Sequence, residues 1–244
     1  MKIFNNSCRF WLATAAVFSM TARDAPAQNI TALYSFTYGI DGATPYGGLI
    51  QASNGVLYGT AINVGTNNKY GTIFKITTNG VFTPLFTFTG ASTDGSTPYA
   101  GLLQGANGNF YGDSYTSGSN GYGSVFKLTS SGAFSELYGF TSLHYHAATG
   151  TVTNVEGANP IAPLVAGTNG NFYGTTSTGG SNGYGAVFEI TGSGALTKLH
   201  SFTNGPDGAF PGALLQNSNG LIYGTTANGG TNGYESPRGQ LMIL

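Results

Sequence analysis

The sequence predicts an all-β protein, a propeller-like array of about four four-stranded antiparallel blades with the last blade incomplete. One phrase, a turn dipeptide that runs into an aromatic strand with Tyr-Gly, occurs four times, and its tyrosines are 53, 62 and 50 residues apart. The 244 residues also include 40 glycines and 15 tyrosines, whereas only 7% are charged, which favours short strands and tight turns over helices. The four tyrosines are Tyr58, Tyr111, Tyr173 and Tyr223.

The first residues have the pattern of a secretory signal peptide. Basic residues precede an apolar run over residues 10–20, and Ala25-Pro26-Ala27 has the small-x-small form of a cleavage site. We therefore predict a signal peptide over residues 1–27 and a single secreted β-repeat domain over residues 28–244, located outside the cell or at its surface. A retained anchor is the alternative, but the run is shorter than the ~20 residues that cross a bilayer, so no membrane span is expected in the mature chain.

The composition excludes some classes of protein. Residues 28–244 carry five basic and eight acidic side chains without a basic cluster, so nucleic acid is not an expected partner. The only cysteine, Cys8, lies in the predicted signal peptide, so the remaining chain must be stable without disulfides. Disorder is the alternative for a chain rich in Gly and Ser, but 13% aromatic residues in strand-like alternation argue against it.

Each unit divides into four predicted strands. Strand one is a short apolar run such as residues 48–51, and an Asn-Gly turn, a strong hairpin signal, leads into the Tyr-Gly strand. A Gly-rich loop such as residues 178–185 precedes strand three, where the alternation in residues 72–77 places Phe74 and Ile76 on one face. A second tight turn leads into strand four. The predicted units are residues 38–89, 90–141, 142–203 and 204–244.

Three segments depart from this pattern. The crossover, which is the loop from strand four of one unit to strand one of the next, expands to residues 142–159 in the third unit. In the last unit, residues 241–244 occur where strands three and four are expected. Residues 30–37 have the pattern of a fourth strand, and we expect them to pair with the last unit and close the ring. Without closure the chain would be an open array with unpaired edges. A β-solenoid is the competing architecture, but its coils are shorter and lack paired Asn-Gly hairpins.

The strand order predicts where a binding site lies. All long loops share one face of the array, and each unit places one acid and one tyrosine there. An acid beside a flat aromatic ring suits the hydroxyl groups and ring faces of sugars. The alternative is structural, since acids in turns bond their own backbone and tyrosines pack at seams between blades. The candidate ligand-binding residues are Asp41, Asp94, Glu156, Asp207, Tyr70, Tyr122, Tyr184 and Tyr234.

No residue is assigned a catalytic or metal-binding role. His144 and His146 lack an evident third ligand, and a zinc site needs at least three. Lys75 and Lys127 correspond to Glu189 in the third unit, and this charge reversal favours a solvated strand face over a shared cation site. We expect neither a metal nor a cofactor.

The order of the phrases resembles a known repeat. Asn-Gly, an aromatic residue, Tyr-Gly-Thr-Thr, a Gly-Gly loop, a Phe-Lys-Ile-Thr strand and Leu-x-x-Phe are similar to the GloVer (Gloeobacter–Verrucomicrobia) tandem repeat of secreted bacterial proteins. The resemblance covers almost all of the mature chain. It implies secretion and a β-repeat fold, but no established catalytic activity. Members of the family carry more repeats and often end in a surface-sorting anchor, so this chain resembles a truncated or frameshifted member.

These observations favour an interaction module over an enzyme. We expect a non-enzymatic extracellular or cell-surface protein whose candidate partners are a polysaccharide and a cell-surface protein. The alternative is a propeller hydrolase or lyase that acts on glycans through the acidic residues of the long-loop face.

Overall fold

A computed structural model describes residues 30–39, 41–62, 70–230 and 239–244 of the protein. The regular structure within these ranges consists of β-strands without a helix, which confirms the all-β prediction. Every described strand lies in one compact unit, residues 33–244. The predicted signal peptide and Tyr234 lie outside the described residues.

The first two sheets are four-stranded antiparallel blades whose strands follow chain order. In each of them a two-residue first strand pairs with the Tyr-Gly strand, so that Ile50 lies opposite Tyr58 and Leu103 opposite Tyr111. The strands of the first sheet are β1 (Ile50–Gln51), β2 (Leu57–Ala61), β3 (Thr72–Ile76) and β4 (Phe82–Thr87). Those of the second sheet are β5 (Leu103–Gln104), β6 (Phe110–Ser114), β7 (Ser124–Leu128) and β8 (Phe134–Gly139).

The expanded crossover of the third unit contains strands that the sequence pattern did not predict. β9 (His144–His146) and β10 (Thr151–Thr153) form a separate hairpin, and β11 (Ala158–Pro160) pairs with the third sheet. That sheet has the order β11-β13-β14-β15, and β12 also pairs with β13. Its remaining strands are β12 (Val165–Ala166), β13 (Phe172–Thr178), β14 (Ala186–Ile190) and β15 (Leu196–Ser201).

The last sheet has three described strands, β16 (Ala209–Gln216), β17 (Ile222–Asn228) and β18 (Leu241–Ile243). Gly224 pairs with Met242 in this sheet just as Gly174 pairs with Phe188 in the third sheet. The short apolar run at residues 241–244 therefore takes the position of a third strand. No fourth strand belongs to this sheet in the described part of the chain, which agrees with the predicted incomplete blade.

Aromatic rings that pack between consecutive sheets form the core. The ring of Tyr58 in the first sheet stacks on Phe110 in the second at a centroid distance of 4.1 Å, and Tyr111 packs on Phe172 in the third at 4.1 Å. Tyr173 in turn shares a buried cluster with a residue of the last sheet, Ile222. Burial of one such side chain contributes about 2–3 kcal/mol to the stability of the fold. The tyrosines of the first three Tyr-Gly strands therefore stabilise the contact of each blade with the next one.

A backbone hydrogen bond recurs at the seams between sheets. In three of the four crossovers, the residue before the proline has a positive φ and donates its N–H to the carbonyl oxygen of the tyrosine that ends the preceding Gly-rich loop. The N···O distances are 2.6 Å for Thr97 to Tyr70, 2.9 Å for Asn159 to Tyr122 and 2.9 Å for Phe210 to Tyr184.

The glycine after each of these tyrosines permits a close approach of two blades. Gly123 has a φ of 93°, and a Cβ atom on it would lie 2.5 Å from the carbonyl oxygen of Ser114 and 2.8 Å from Cδ of Pro160. Neither the backbone conformation nor the space suits a larger residue. Gly71 and Gly185 make the same contact with Pro98 and Pro211.

Residues 33–37 cover the first sheet instead of extending the last one. Tyr34 stacks on Phe82 at 4.4 Å, and Phe36 meets Phe74 edge-on at 5.4 Å. The expectation that residues 30–37 pair with the last unit and close the ring is wrong, because no described sheet includes them. Their two aromatic rings are instead partly buried against the apolar face of the first sheet. Phe86 of β4 and Phe88, which follows the strand, make the equivalent contacts with Phe134 and Phe126 of the second sheet.

Candidate functional site

The four predicted acids all bind a threonine that precedes them in the chain. Each carboxylate accepts a hydrogen bond from the backbone N–H of the threonine that ends a Leu-x-x-Phe-Thr phrase. The N···O distances are 2.7 Å for Thr37 to Asp41, 2.7 Å for Thr89 to Asp94, 2.9 Å for Thr141 to Glu156 and 3.1 Å for Thr203 to Asp207. Asp41, Asp94 and Glu156 are buried, and Asp207 is half-buried. The acids thus stabilise the backbone at the start of each crossover.

The hydrogen bonds keep two of these acids ionised. Burial acts to raise the pKa of Asp41, but hydrogen bonds from Thr37 and Tyr34 outweigh it and hold the pKa below its ordinary value. Burial also acts to raise the pKa of Asp207, and hydrogen bonds to its carboxylate, those from Thr203 among them, again lower it. A carboxylate that stays ionised and already accepts several hydrogen bonds has no proton to donate in acid catalysis.

The side chain that makes a second hydrogen bond to the crossover acid differs among the repeats. Tyr34, Tyr138 and His200 supply it to Asp41, Glu156 and Asp207. Burial, followed by the charge and hydrogen bond of Glu156, raises the pKa of Tyr138 to about 12. Phe86 occupies this position before Asp94 and has no hydroxyl group to donate. The buried Oδ1 of Asp94 accordingly has no hydrogen-bond partner among the described residues.

The predicted loop tyrosines lie at the seams between blades. The carbonyl groups of Tyr70, Tyr122 and Tyr184 accept the seam hydrogen bonds described above. The ring of Tyr70 lies over Gly90, and Tyr184 meets Phe210 edge-on at 6.1 Å. The structure therefore places the four acids and these three tyrosines in separate, repeated structural positions and does not gather them into one pocket.

A cavity of about 540 Å³ gathers other tyrosines on the same face of the array. Tyr46 and Tyr99 meet edge-on at 5.6 Å, and Tyr99 meets Tyr115 in the same way at 5.3 Å. Most of the lining comes from crossover segments and from the residue after β6, so the cavity lies beside the long loops, and two residues of β16 complete it. All four units contribute to it. The remaining lining residues are Ile161, Ala162, Pro163, Gly212 and Ala213.

These tyrosines were not among the residues predicted from the sequence. Their signal is the repeated Thr-Pro-Tyr of the crossover, at residues 44–46 and 97–99. Tyr46 is 70% exposed, which is unusual for a large aromatic side chain beside a cavity and makes its ring accessible to a ligand.

A second residue that sequence reasoning missed is Asp113, which stands in the Tyr-Gly phrase where the other units have threonine. Thr60 and Thr175 donate their hydroxyl groups to carbonyl oxygens of the next unit at 2.9 and 3.0 Å. Asp113 is buried, and neither of its carboxyl oxygens has a hydrogen-bond partner among the described residues. Burial raises the pKa of Asp113 to about 8, so its carboxyl group is neutral in the folded protein at pH 7.

The described residues contain no group of three His, Cys, Asp or Glu side chains arranged to hold a metal ion. His144 and His146 are exposed on β9, and the Nε2 atom of His146 lies 2.6 Å from the hydroxyl of Thr153. Within the same part of the chain, no helix is long and apolar enough to cross a membrane.

Comparison with known proteins supports the fold. None of the curated proteins compared matches the sequence. The structure is similar to a gluconolactonase from Xanthomonas campestris, with a TM-score of 0.50 and 13% identity over 82% of this chain and 59% of that protein. It is also similar to an α-L-arabinanase from Penicillium chrysogenum in complex with arabinobiose, with a TM-score of 0.49 and 14% identity over 82% of this chain and 62% of that protein.

The chain thus spans about three fifths of the length of these two solved proteins. At such low identity the likeness to the gluconolactonase concerns the fold alone. The sequence itself matches the Gloeobacter/Verrucomicrobia repeat over residues 13–236, which include all four Tyr-Gly phrases. The chain therefore belongs to the Gloeobacter/Verrucomicrobia repeat family.

Proposed function

We propose that the protein is a non-enzymatic extracellular module that binds polysaccharide in the tyrosine-lined cavity of its long-loop face. The location is inferred from the apolar run at residues 10–20, the small-x-small motif that ends at Ala27, and the lack of cysteine after Cys8. A cell-surface position is consistent with the same features. The contacts within the cavity carry the binding proposal.

The cavity has the chemistry that a neutral sugar requires. The rings of Tyr46, Tyr99 and Tyr115 are set at steep angles to one another and present both faces and edges. A flat ring packs on the apolar C–H face of a pyranose, and the phenol hydroxyl group exchanges hydrogen bonds with sugar hydroxyls. The remaining lining residues are small or aliphatic, and no charged side chain lines the cavity. A neutral ligand therefore avoids the cost of burying a charge.

The positions of the acids support binding without catalysis. Glycoside hydrolysis needs two carboxyl groups on either side of the scissile bond. The crossover acids are instead bound to threonine N–H groups, and three of the four are buried. Asp113 is neutral at pH 7 and buried between the sheets, so it does not reach a ligand in the open cavity.

A binding experiment with soluble polysaccharides tests the proposal. Tyr46→Ala should weaken binding of the polysaccharide that the wild-type protein retains in affinity electrophoresis, by about tenfold, because it removes an accessible ring from the cavity. Tyr145→Ala is the matched control, since Tyr145 is 68% exposed on β9 and does not line the cavity.

Two results would contradict the proposal. One is equal loss of retention in both tyrosine variants, which would mean that binding is not located in the cavity. The other is release of reducing ends or unsaturated products from the bound polysaccharide, abolished by Asp94→Asn. That result would favour a glycan hydrolase or lyase in place of a binding module.

A further inference from the structure

The seam between the second and third sheets lacks a contact that the other seams have. In the last sheet, Gln216 accepts a hydrogen bond from the backbone N–H of Thr168 at 2.7 Å and donates to the carbonyl oxygen of Gly220 at 3.0 Å. Gln104 makes the same pair of bonds with Ser53 N–H and the carbonyl oxygen of Gly108 at 3.2 and 3.4 Å. One carboxamide group therefore joins the Asn-Gly turns of two neighbouring blades.

The third unit has alanine in place of this glutamine. Ala166 occupies the position, so its side chain cannot join the turn of the second blade to the turn of the third. Among the described residues, neither the N–H group of Ala106 nor the carbonyl oxygen of Gly170 has a hydrogen-bond partner. These two groups correspond by position to Ser53 N–H and Gly108 C=O at the first seam. The N–H group of Ala106 and the carbonyl oxygen of Gly170 are thus available to bind one carboxamide group of a ligand.

A cavity of about 270 Å³ lies at this position. A second substitution lines it, because Gly192 stands where the first and second units have Thr78 and Ser130. Ala166 and Gly192 both replace larger side chains of the other repeats. Two residues that are smaller than their counterparts in other repeats thus line one cavity. The cavity lies on the face that carries the tight turns.

The walls of the cavity offer one further donor. The hydroxyl oxygen of Tyr111 accepts a hydrogen bond from Asn107 Nδ2 at 2.8 Å, which leaves its proton free for another acceptor. In the third sheet the equivalent Tyr173 gives its proton to Glu189 at 3.1 Å, but the second sheet has Lys127 at that position. The ring of Phe172 and the methyl group of Ala166 provide an apolar surface beside these polar groups.

From this geometry we propose that the cavity binds the acetamido group of an N-acetylated amino sugar. The acetamido carbonyl oxygen accepts from Ala106 N–H and Tyr111 O–H, and its N–H donates to the carbonyl oxygen of Gly170. The methyl group lies against Phe172. The ligand thereby makes the two bonds that the glutamine carboxamide makes at the other seams. No charged residue lines the cavity, which suits a neutral acetylated sugar and excludes the free amine.

Titration of the whole protein with N-acetylglucosamine, glucosamine and glucose tests the assignment. Ligand-observed NMR should show binding of N-acetylglucosamine alone, with the acetyl methyl group closest to the protein. Ala166→Gln should fill the cavity, raise the melting temperature and weaken binding by about tenfold, because its carboxamide occupies both hydrogen-bonding groups. Gly192→Thr should weaken binding in the same direction without supplying a carboxamide.

The site lies on the opposite face from the tyrosine-lined cavity and does not depend on it. Tyr46→Ala should therefore leave binding of N-acetylglucosamine unchanged. The proposal is wrong if the wild-type protein does not bind this sugar, if glucose binds equally well, or if Ala166→Gln binds as well as the wild-type protein. Preference for an N-acetylated dipeptide over N-acetylglucosamine would also overturn it, in favour of a peptide ligand.

Discussion

The second and third sheets pair their Tyr-Gly strand with the following strand in the same register, but they bury different groups at one position. Thr175 pairs with Val187 in the third sheet and donates a hydrogen bond to the next unit, whereas Asp113 pairs with Val125 in the second sheet and has no described partner. The backbone ladder is the same in both. Strand pairing and the aromatic rings between sheets therefore determine the fold. The second sheet forms even though burial of the unpartnered Asp113 carboxyl group lowers its stability.

Replacement of Asp113 by threonine should have the largest effect. The unfolded chain ionises this residue near its ordinary value of 3.8, while the folded protein retains the proton up to about pH 8. The free energy of unfolding should therefore fall by about 1.4 kcal/mol per pH unit between these two values and stay level above them. Asp113→Thr should remove this slope and stabilise the protein by several kcal/mol at neutral pH. Urea denaturation over this pH range measures both quantities.

The reverse exchange is the matched control. Thr175→Asp should introduce the same slope into the third sheet, because Thr175 is as deeply buried as Asp113. If Asp113→Thr instead follows the wild-type pH profile, the burial of Asp113 does not govern the pH dependence.

Gly123→Ala should have the next largest effect, a loss of about 3 kcal/mol, because a positive φ and two close contacts at the seam both oppose a Cβ atom. Gly108→Ala in the Asn-Gly turn is its control, since it has a φ of 78° but open space around it. That change should cost only about 1 kcal/mol. Thermal unfolding compares the two variants, and equal losses would show that the seam contact adds nothing to the backbone strain.

Phe86→Tyr should have the smallest effect, a gain of about 1 kcal/mol, because the new hydroxyl group can donate to the buried Oδ1 of Asp94. Tyr34→Phe should lose a similar amount by removing the 2.9 Å hydrogen bond to Asp41. Chemical denaturation checks both. Opposite signs for the two changes are expected, and destabilisation by Phe86→Tyr would mean that the stack on Phe134 leaves no room for the hydroxyl group.

Local signals made most of the strands predictable. The Asn-Gly turns, the Tyr-Gly strands and the alternation in residues 72–77 act over a few residues, and the structure contains each of these features. The hairpin of β9 and β10 escaped prediction because its turn, residues 147–150, lacks the Asn-Gly signal. The role of residues 30–37 was also misjudged, since their phrase matches β4 but their burial depends on which sheet lies beside them.

The candidate site depended more on tertiary structure. The sequence located the long-loop face and named one acid and one tyrosine per unit, but the hydrogen bonds of those acids to threonine N–H groups could not be read from spacing alone. The two cavities combine residues from different units. Tyr46 and Gly212 are far apart in the chain, as are Ala106 and Gly192, and they meet only because the sheets stack face to face.

The sequence by itself determined the repeated four-stranded unit, because turn residues and the alternation of apolar side chains act within one hairpin. It also determined the order of the blades, since each unit ends where the next one begins. Tertiary structure alone decided which polar groups are satisfied and where cavities remain. Those outcomes depend on contacts between units, where a single change, such as alanine for glutamine at position 166, alters a seam without altering a strand.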